Sequence, residues 1–404
     1  MKKNILFVTS VRVESILDKF VYTDLINEFV KNDHNVFVVS PFERRLKKKT
    51  KLYQDKSLTI LNVRTLNLQK INFFEKTIST FYIWVQFKKA IDKYLCDINF
   101  DLIIYTTPPI TFYRLIKYLK HKHNSTTYLL LKDIFPQNAI DLEFFSKKSL
   151  AYKIFRKIER KLYIISDFIG CMSQANKEYL IKHNSYLDKS KIEINPNCIT
   201  PNKTNHISDD YILKELKINI REESLIFLYG GNLGKPQGLG FLKTILLKNK
   251  NDFNFFFIII GDGTEYLTLK RFIEFNNIEN VMLSAKIEKI KYDQLIKYCD
   301  IGLIFLNKNF TIPNFPFRLL GYLENKMPVI SCTDMNTDIG EVLVKNRCGF
   351  KILSGDIELF QDVINQLLNN KKLVEDYGDN AYKLLINEYG VKKSYDLIIE
   401  KLIQ

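Results

Sequence analysis

The chain has 404 residues, with 60 Lys and Arg against 45 Asp and Glu, and a formal net charge of +15. A hydrophobic share of 46% with 13% aromatics excludes a mainly disordered chain, and the length exceeds what one core usually holds, so two domains are expected. No apolar run reaches the roughly 18–20 residues of a spanning helix, and the start of the chain lacks a signal's long apolar stretch, so neither membrane spanning nor secretion is expected.

Short apolar runs alternate with longer amphipathic segments. In the first half, strands are predicted at 5–9, 36–40, 59–63, 102–106, 128–131 and 168–172. Helices are predicted between them at 18–31, 74–95, 110–120, 149–165 and 174–183. Strands of four to six residues separated by helices read as βαβ units with a parallel sheet. The pattern stops at 195–223, a polar stretch with Pro196 and Pro201 that reads as a linker carrying a short helix. It resumes with strands at 225–229, 255–260, 281–284, 301–306, 329–332 and 350–353, again with helices between. The fold class is therefore α/β, with two doubly wound domains facing across a cleft. The boundaries expected are 1–200, 201–385, and a helical tail at 386–404 that packs back across the junction.

Six cysteines show no C-x-x-C spacing and read as buried, reduced thiols of a cytoplasmic protein. Five histidines form no metal motif, so no protein-ligated metal and no cofactor are expected. The basic excess clusters at 44–49 and 147–161, which suits phosphorylated substrates or anionic lipid. No nucleic-acid signature accompanies it, so nucleic acid is not expected as a partner.

The sharpest motif is Tyr229-Gly230-Gly231-Asn232-Leu233-Gly234-Lys235-Pro236-Gln237-Gly238, directly after a strand and before a helix. Glycines admit a ligand close to the backbone, and the helix end and Lys235 add positive charge, which together describe a phosphate cradle. A glycine-rich tight turn with no ligand is the competing reading. Gly261-Asp262-Gly263 follows the next strand and lines the same edge. Pro316-Phe317-Arg318-Leu319 opens a later helix, where an arginine suits a diphosphate, and Glu324 two turns on suits ribose hydroxyls. In the first domain, Asp133 follows the strand 128–131 and is the candidate acid, base or hydroxyl-orienting group. Arg12 and Glu14, in the loop after the first strand, are candidates for the acceptor side.

These elements, in this order, resemble the GT-B glycosyltransferases of family 4. The runs Gly230 to Leu239, Gly261 to Gly263, and Ile312-Pro313-Asn314-Phe315-Pro316 through Pro328-Val329-Ile330 to Gly340 carry the resemblance, and the last of them is similar to the branch that transfers N-acetyl-L-fucosamine in capsule and O-antigen synthesis. The resemblance implies a metal-independent hexosyl transfer from a UDP-sugar to a saccharide carried on polyprenyl diphosphate. It further implies that Gly231, Asn232, Leu233, Gly234 and Lys235 meet the donor pyrophosphate, with Gln237, Gly261, Arg318 and Leu319 completing the donor set. Arg318 stands where the family has lysine, and Lys286 and Ile287 lie in the loop that meets uracil. Two glutamates of the family correspond to Pro313 and Gly321 here, and its arginine and lysine in the phosphate loop to Asn232 and Gln237. The acceptor's lipid implies peripheral attachment to the anionic inner face of a bacterial membrane. The aromatic-rich segment 73–89 and the basic segment 152–161 are the surfaces expected to meet it. A GT-B epimerase of nucleotide sugars and a non-catalytic donor-binding subunit are the alternative readings.

Overall fold

The computed structural model describes residues 2–17, 20–68, 73–202, 211–216, 220–221 and 223–402. Much of the predicted linker, at 203–210, 217–219 and 222, and the first two residues of the helix predicted at 18–31 lie outside the described residues. The chain forms two compact units, one of Met1–Thr200 with Gly390–Gln404, the other of Pro201–Tyr389. The second unit ends after Tyr389 rather than at 385 because helix Lys371–Glu388 runs unbroken through that position.

The first unit carries strands β1 (Asn4–Val8), β2 (Asn35–Glu43), β3 (Lys51–Asp55), β4 (Leu58–Thr65), β5 (Leu102–Thr106), β6 (Thr126–Leu131), β7 (Phe168–Cys171) and β8 (Ile192–Ile194). Their order is β3-β4-β2-β1-β5-β6-β7-β8. All neighbours run parallel except β3, which is antiparallel to β4. Central strands are apolar on both faces because helices cover both, and every residue of β5 is buried. Two strands go beyond the sequence reading. β3 is mostly exposed and polar, so no alternation betrays it, and β8 has three residues, too few for a period.

Residues 195–200, read above as the start of a linker, are packed into this unit. Asn195 is buried, donates to the Tyr128 hydroxyl at 2.9 Å, and accepts from the Ser394 hydroxyl at 2.7 Å. The final helix, Val391–Ile399, belongs to the same unit. Its Tyr395 ring meets Phe29 edge-on, and its hydroxyl pairs with His34 Nε2 at 3.0 Å.

The second unit is a six-stranded sheet of β9 (Leu225–Gly230), β10 (Phe255–Ile260), β11 (Val281–Ser284), β12 (Ile301–Phe305), β13 (Val329–Thr333) and β14 (Gly349–Leu353). The order is β11-β10-β9-β12-β13-β14, and every pairing is parallel. The order reverses between β9 and β12, and crevices of such sheets form beyond the carboxyl ends there. Phe227, Phe257, Leu303, Ile330 and Phe360 lie in its core, each worth roughly 1.5–3 kcal/mol when buried.

At the opposite end of this sheet, Asp300 accepts from the Ile226 amide at 2.7 Å beneath the start of β12. Burial pushes its carboxyl up to about 6, above the usual carboxylate range, against that amide's opposing effect. The raised value means that the fold holds a proton the unfolded chain releases, so this contribution is lost as pH rises through 4 to 6. Asp300→Asn keeps the acceptor and removes the charge. In urea unfolding it should gain up to about 3 kcal/mol over the parent at pH 7.5 and nothing near pH 4.

Candidate active site

Four loops meet at the carboxyl edge of the second sheet. The loop after β9 lies against the loop after β10 with no space for side chains between them. A Cβ on Gly261 would lie 1.8 Å from the Gly231 carbonyl oxygen, and one on Gly263 would lie 2.2 Å from that of Leu233. The Gly231 amide donates to Ile260 O at 2.8 Å, Leu233 to Asp262 O at 3.0 Å, and Glu265 to Leu233 O at 2.9 Å. Gly238, at φ +58°, lets the turn Lys235–Gln237 approach the loop after β12, where the Asn307 amide donates to Pro236 O at 2.9 Å. The loop after β11 is tied in by the Gly261 amide, which donates to Ser284 O at 3.0 Å.

This packing uses part of the expected backbone cradle. The amides of Gly231 and Leu233 are spent on the neighbouring loop, and that of Gly234 reaches Gln237 Oε1 at 3.3 Å. Asn232 and Gln237 pair with each other, Asn232 Nδ2 donating to Gln237 Oε1 at 2.8 Å. Leu233 and Leu319 are fully buried, so their side chains belong to the core.

Cationic side chains also stand at this edge. Arg318 begins helix Arg318–Glu324 and lies over the Tyr229 ring, 4.4 Å from its centroid. Its guanidinium faces the bare Cα of Gly231, where a Cβ would sit 3.2 Å from Nη2. Arg318 Nη1 is buried and meets no acceptor among the described residues. A buried guanidinium nitrogen without an acceptor is costly, and an anion supplies one. Lys235 and Lys286 are exposed on the neighbouring loops, and Ile287 is half-buried.

Three tyrosines to which the sequence reading gave no role frame the arginine. The Gly230 amide donates to Tyr322 Oη at 3.1 Å, Tyr322 donates on to Leu303 O, and the Tyr292 hydroxyl closes over the Cα of Gly230. Burial pushes the phenols of Tyr229, Tyr292 and Tyr322 above their ordinary range, which keeps them neutral. Tyr322, four residues after Arg318, was legible as a same-face neighbour; Tyr292 comes from another helix and had no local signal.

Glu324 is not brought to Arg318. Six residues along the helix separate them by about 9 Å, and Glu324 Oε1 accepts from the Asn202 amide at 2.9 Å. Gly321, on the turn between them, faces open space, with nothing within 4 Å of an added Cβ. The segment 310–314 is braced from below by residues 334–337. Asp334 Oδ2 accepts from Thr337 Oγ1, which accepts from the Asn314 amide, and Asn336 Nδ2 donates to Phe310 O at 2.7 Å.

In the first unit, the loops after β1, β5 and β6 are likewise tied together. Ser10 Oγ donates to Pro108 O at 2.8 Å, and Thr107 Oγ1 accepts from the amides of Lys132 and Asp133. Asp133 takes the Asn138 amide on both carboxylate oxygens, at 2.7 and 2.8 Å. Burial pushes the neighbouring Lys132 ammonium down to about 8. Arg12 and Glu14 pair with each other at 3.3 Å, and Lys48 reaches Glu14 at 2.5 Å. Arg12 and Glu14 thus lie on the same carboxyl edge as Asp133.

Two parallel α/β units of this kind constitute the GT-B fold. The fold and the sequence models agree: residues 20–203 match the family described as "Glycosyltransferase Family 4", and residues 213–384 match "Glycosyl transferases group 1". The chain belongs to the family 4 glycosyltransferases. It is 19% identical over 269 residues to the probable glycosyltransferase WbjE of Pseudomonas aeruginosa, covering 66% of each chain. It is 23% identical over 237 residues to the UDP-Gal:alpha-D-GlcNAc-diphosphoundecaprenol alpha-1,3-galactosyltransferase of Escherichia coli, covering 56% of this chain and 58% of that one. The matched regions thus span somewhat less than two thirds of each relative's length. Sucrose-phosphate synthase of Thermosynechococcus elongatus shares the fold at TM-score 0.74 with 11% identity, over 100% of this chain and 98% of that one.

The two glycines separate the constraint from the composition. Gly261→Ala should cost at least about 1–3 kcal/mol in thermal unfolding, because its methyl meets backbone. Gly321→Ala should be neutral or stabilising by up to about 1 kcal/mol, because its methyl meets nothing.

Proposed function

We propose that the protein transfers a sugar, N-acetyl-L-fucosamine, from its UDP donor to a saccharide carried on polyprenyl diphosphate, in the assembly of a bacterial surface polysaccharide. The observation that carries the donor half is Arg318, whose buried Nη1 has no acceptor where the sheet order reverses. Membership of family 4 supports a nucleotide sugar. A relative that uses UDP-Gal and a diphosphoundecaprenol-linked sugar supports the donor nucleotide and the acceptor class. The similarity of the segment 312–340 to the fucosamine branch supports the choice of sugar.

Chemically, the bond from the anomeric carbon to the UDP oxygen breaks, and UDP leaves with an added negative charge. Arg318 and Lys235 stabilise that charge, so their interaction strengthens as the bond breaks. The electron-poor anomeric carbon bonds to an acceptor hydroxyl, whose proton passes to a base. Asp133 is the residue we assign to that end of the reaction.

Incubation with UDP-N-acetyl-L-fucosamine and a lipid-linked monosaccharide tests the reading. Glycolipid extension supports it, a new nucleotide sugar without acceptor points to an epimerase, and binding without turnover points to a donor-binding subunit. Arg318→Ala should weaken UDP binding by calorimetry about 10- to 100-fold with little change in unfolding temperature. Unchanged binding removes Arg318 from the site.

We also propose that the first unit rests on anionic lipid. Phe81 of helix Phe73–Tyr94 stacks on Phe155 of helix Leu150–Ile165, with centroids 5.8 Å apart, which sets the two helices side by side. Ile78, Leu150 and Ile154 stand 63%, 72% and 45% exposed there, and Lys147, Lys148, Lys153 and Lys157 are exposed beside them. The side chains of Phe73, Phe74 and Lys76, part of the expected surface, lie outside the described residues. Apolar contact ringed by lysines suits a surface bearing phosphate headgroups. Leu150→Glu with Ile154→Glu should lower sedimentation with phosphatidylglycerol vesicles at least about tenfold. Unchanged sedimentation rules this face out.

A further inference from the structure

Asp133 is held by a side chain with an unused half. Asn138, in helix Gln137–Asp141, donates through Nδ2 to both carboxylate oxygens. A carboxylate only accepts, so the amide nitrogen has to face it; the reverse orientation would set oxygen against oxygen. The amide oxygen is thereby turned away from Asp133. It is buried and receives no hydrogen bond among the described residues. Buried amide oxygens in folded proteins almost always have a donor, so this one marks a place where a donor arrives. The surrounding loop does not adjust to supply one. Thr107 Oγ1 grips its backbone at Lys132 and Asp133, and the amides of Asn138 and Ala139 are bonded to Ile134 O and Pro136 O.

We infer that Asn138 is an acceptor-binding and positioning residue: its Nδ2 aims the Asp133 carboxylate, while its Oδ1 receives a hydroxyl of the acceptor saccharide. The inference rests on the assignment of Asp133 to the acceptor side made above. The ligand chemistry that fits is a pair of neighbouring hydroxyls on one sugar ring. One hydroxyl donates to Asp133 and the other to Asn138 Oδ1, so an acceptor lacking the second leaves that oxygen unsatisfied. Such a site discriminates by penalising the deoxy analogue more than by rewarding the correct sugar.

Steady-state kinetics on the full chain test this, with UDP-N-acetyl-L-fucosamine as donor and farnesyl-diphosphate-linked N-acetylglucosamine as acceptor. Asn138→Ala should raise the acceptor KM about tenfold or more and lower kcat, while the donor KM stays within about twofold. The parent should also lose about tenfold or more in kcat/KM on the acceptor deoxygenated beside the reacting hydroxyl, and Asn138→Ala should lose little further on it. Should the alanine variant fail to fold, Asn138→Ser, small and polar, is expected to show the same split. An unchanged acceptor KM in a folded variant, with Asp133→Ala still abolishing transfer, overturns the role of Asn138 and leaves the reaction assignment standing. Full transfer by Asp133→Ala overturns the assignment of Asp133 itself.

Discussion

The carboxyl edge of the second unit depends on one contact between two stretches of bare backbone. Gly261 presses its Cα against the Gly231 carbonyl, and Gly263 does the same to Leu233. Any side chain there would push the loops after β9 and β10 apart, because what it meets is peptide rather than a flexible side chain. The same closeness uses up the amides of Gly231 and Leu233 on the neighbouring loop. The glycines therefore act as a hinge pin for two loops, and the positive charge comes from side chains.

That division explains how the site manages with few cations. In the loop after β9, Asn232 and Gln237 hydrogen-bond to each other and stiffen the turn. Arg318 brings its charge from the start of helix Arg318–Glu324, seated on Tyr229 with Tyr292 and Tyr322 packed around Gly230. Neutral phenols around a guanidinium keep it desolvated without cancelling its charge. An anion entering there meets a cation that water screens poorly.

Much of the candidate site was legible before the fold was. Glycine spacing after an apolar strand marked the β9 loop, and a proline followed by an arginine marked the start of helix Arg318–Glu324, since both signals are local. What local pattern could not carry was pairing. Nothing near Glu324 in the chain announces that its carboxylate will accept from the amide of Asn202, 122 positions away. Nothing in Asn232 or Gln237 taken singly says that they satisfy each other. Thr107 and Asn138, which hold the Asp133 loop, drew no attention because a threonine after a strand and an asparagine in a short helix are commonplace.

The sequence by itself determined the alternation of strand and helix, the α/β class and the division into two halves, because hydrophobic period and turn residues act over a few positions. It also marked where the chain could bear charge near a ligand. Only the tertiary structure decided which of those groups remain available. The order β11-β10-β9-β12-β13-β14 brings four loops to one edge, where close packing uses the amides of Gly231 and Leu233 and leaves Arg318 Nη1 without an acceptor among the described residues. It likewise returned the last helix to the first unit and packed residues 195–200 there, through partners such as Ser394 that lie far along the chain. Hydrogen-bond satisfaction is a property of the whole packed neighbourhood, and a one-dimensional pattern carries only its local part.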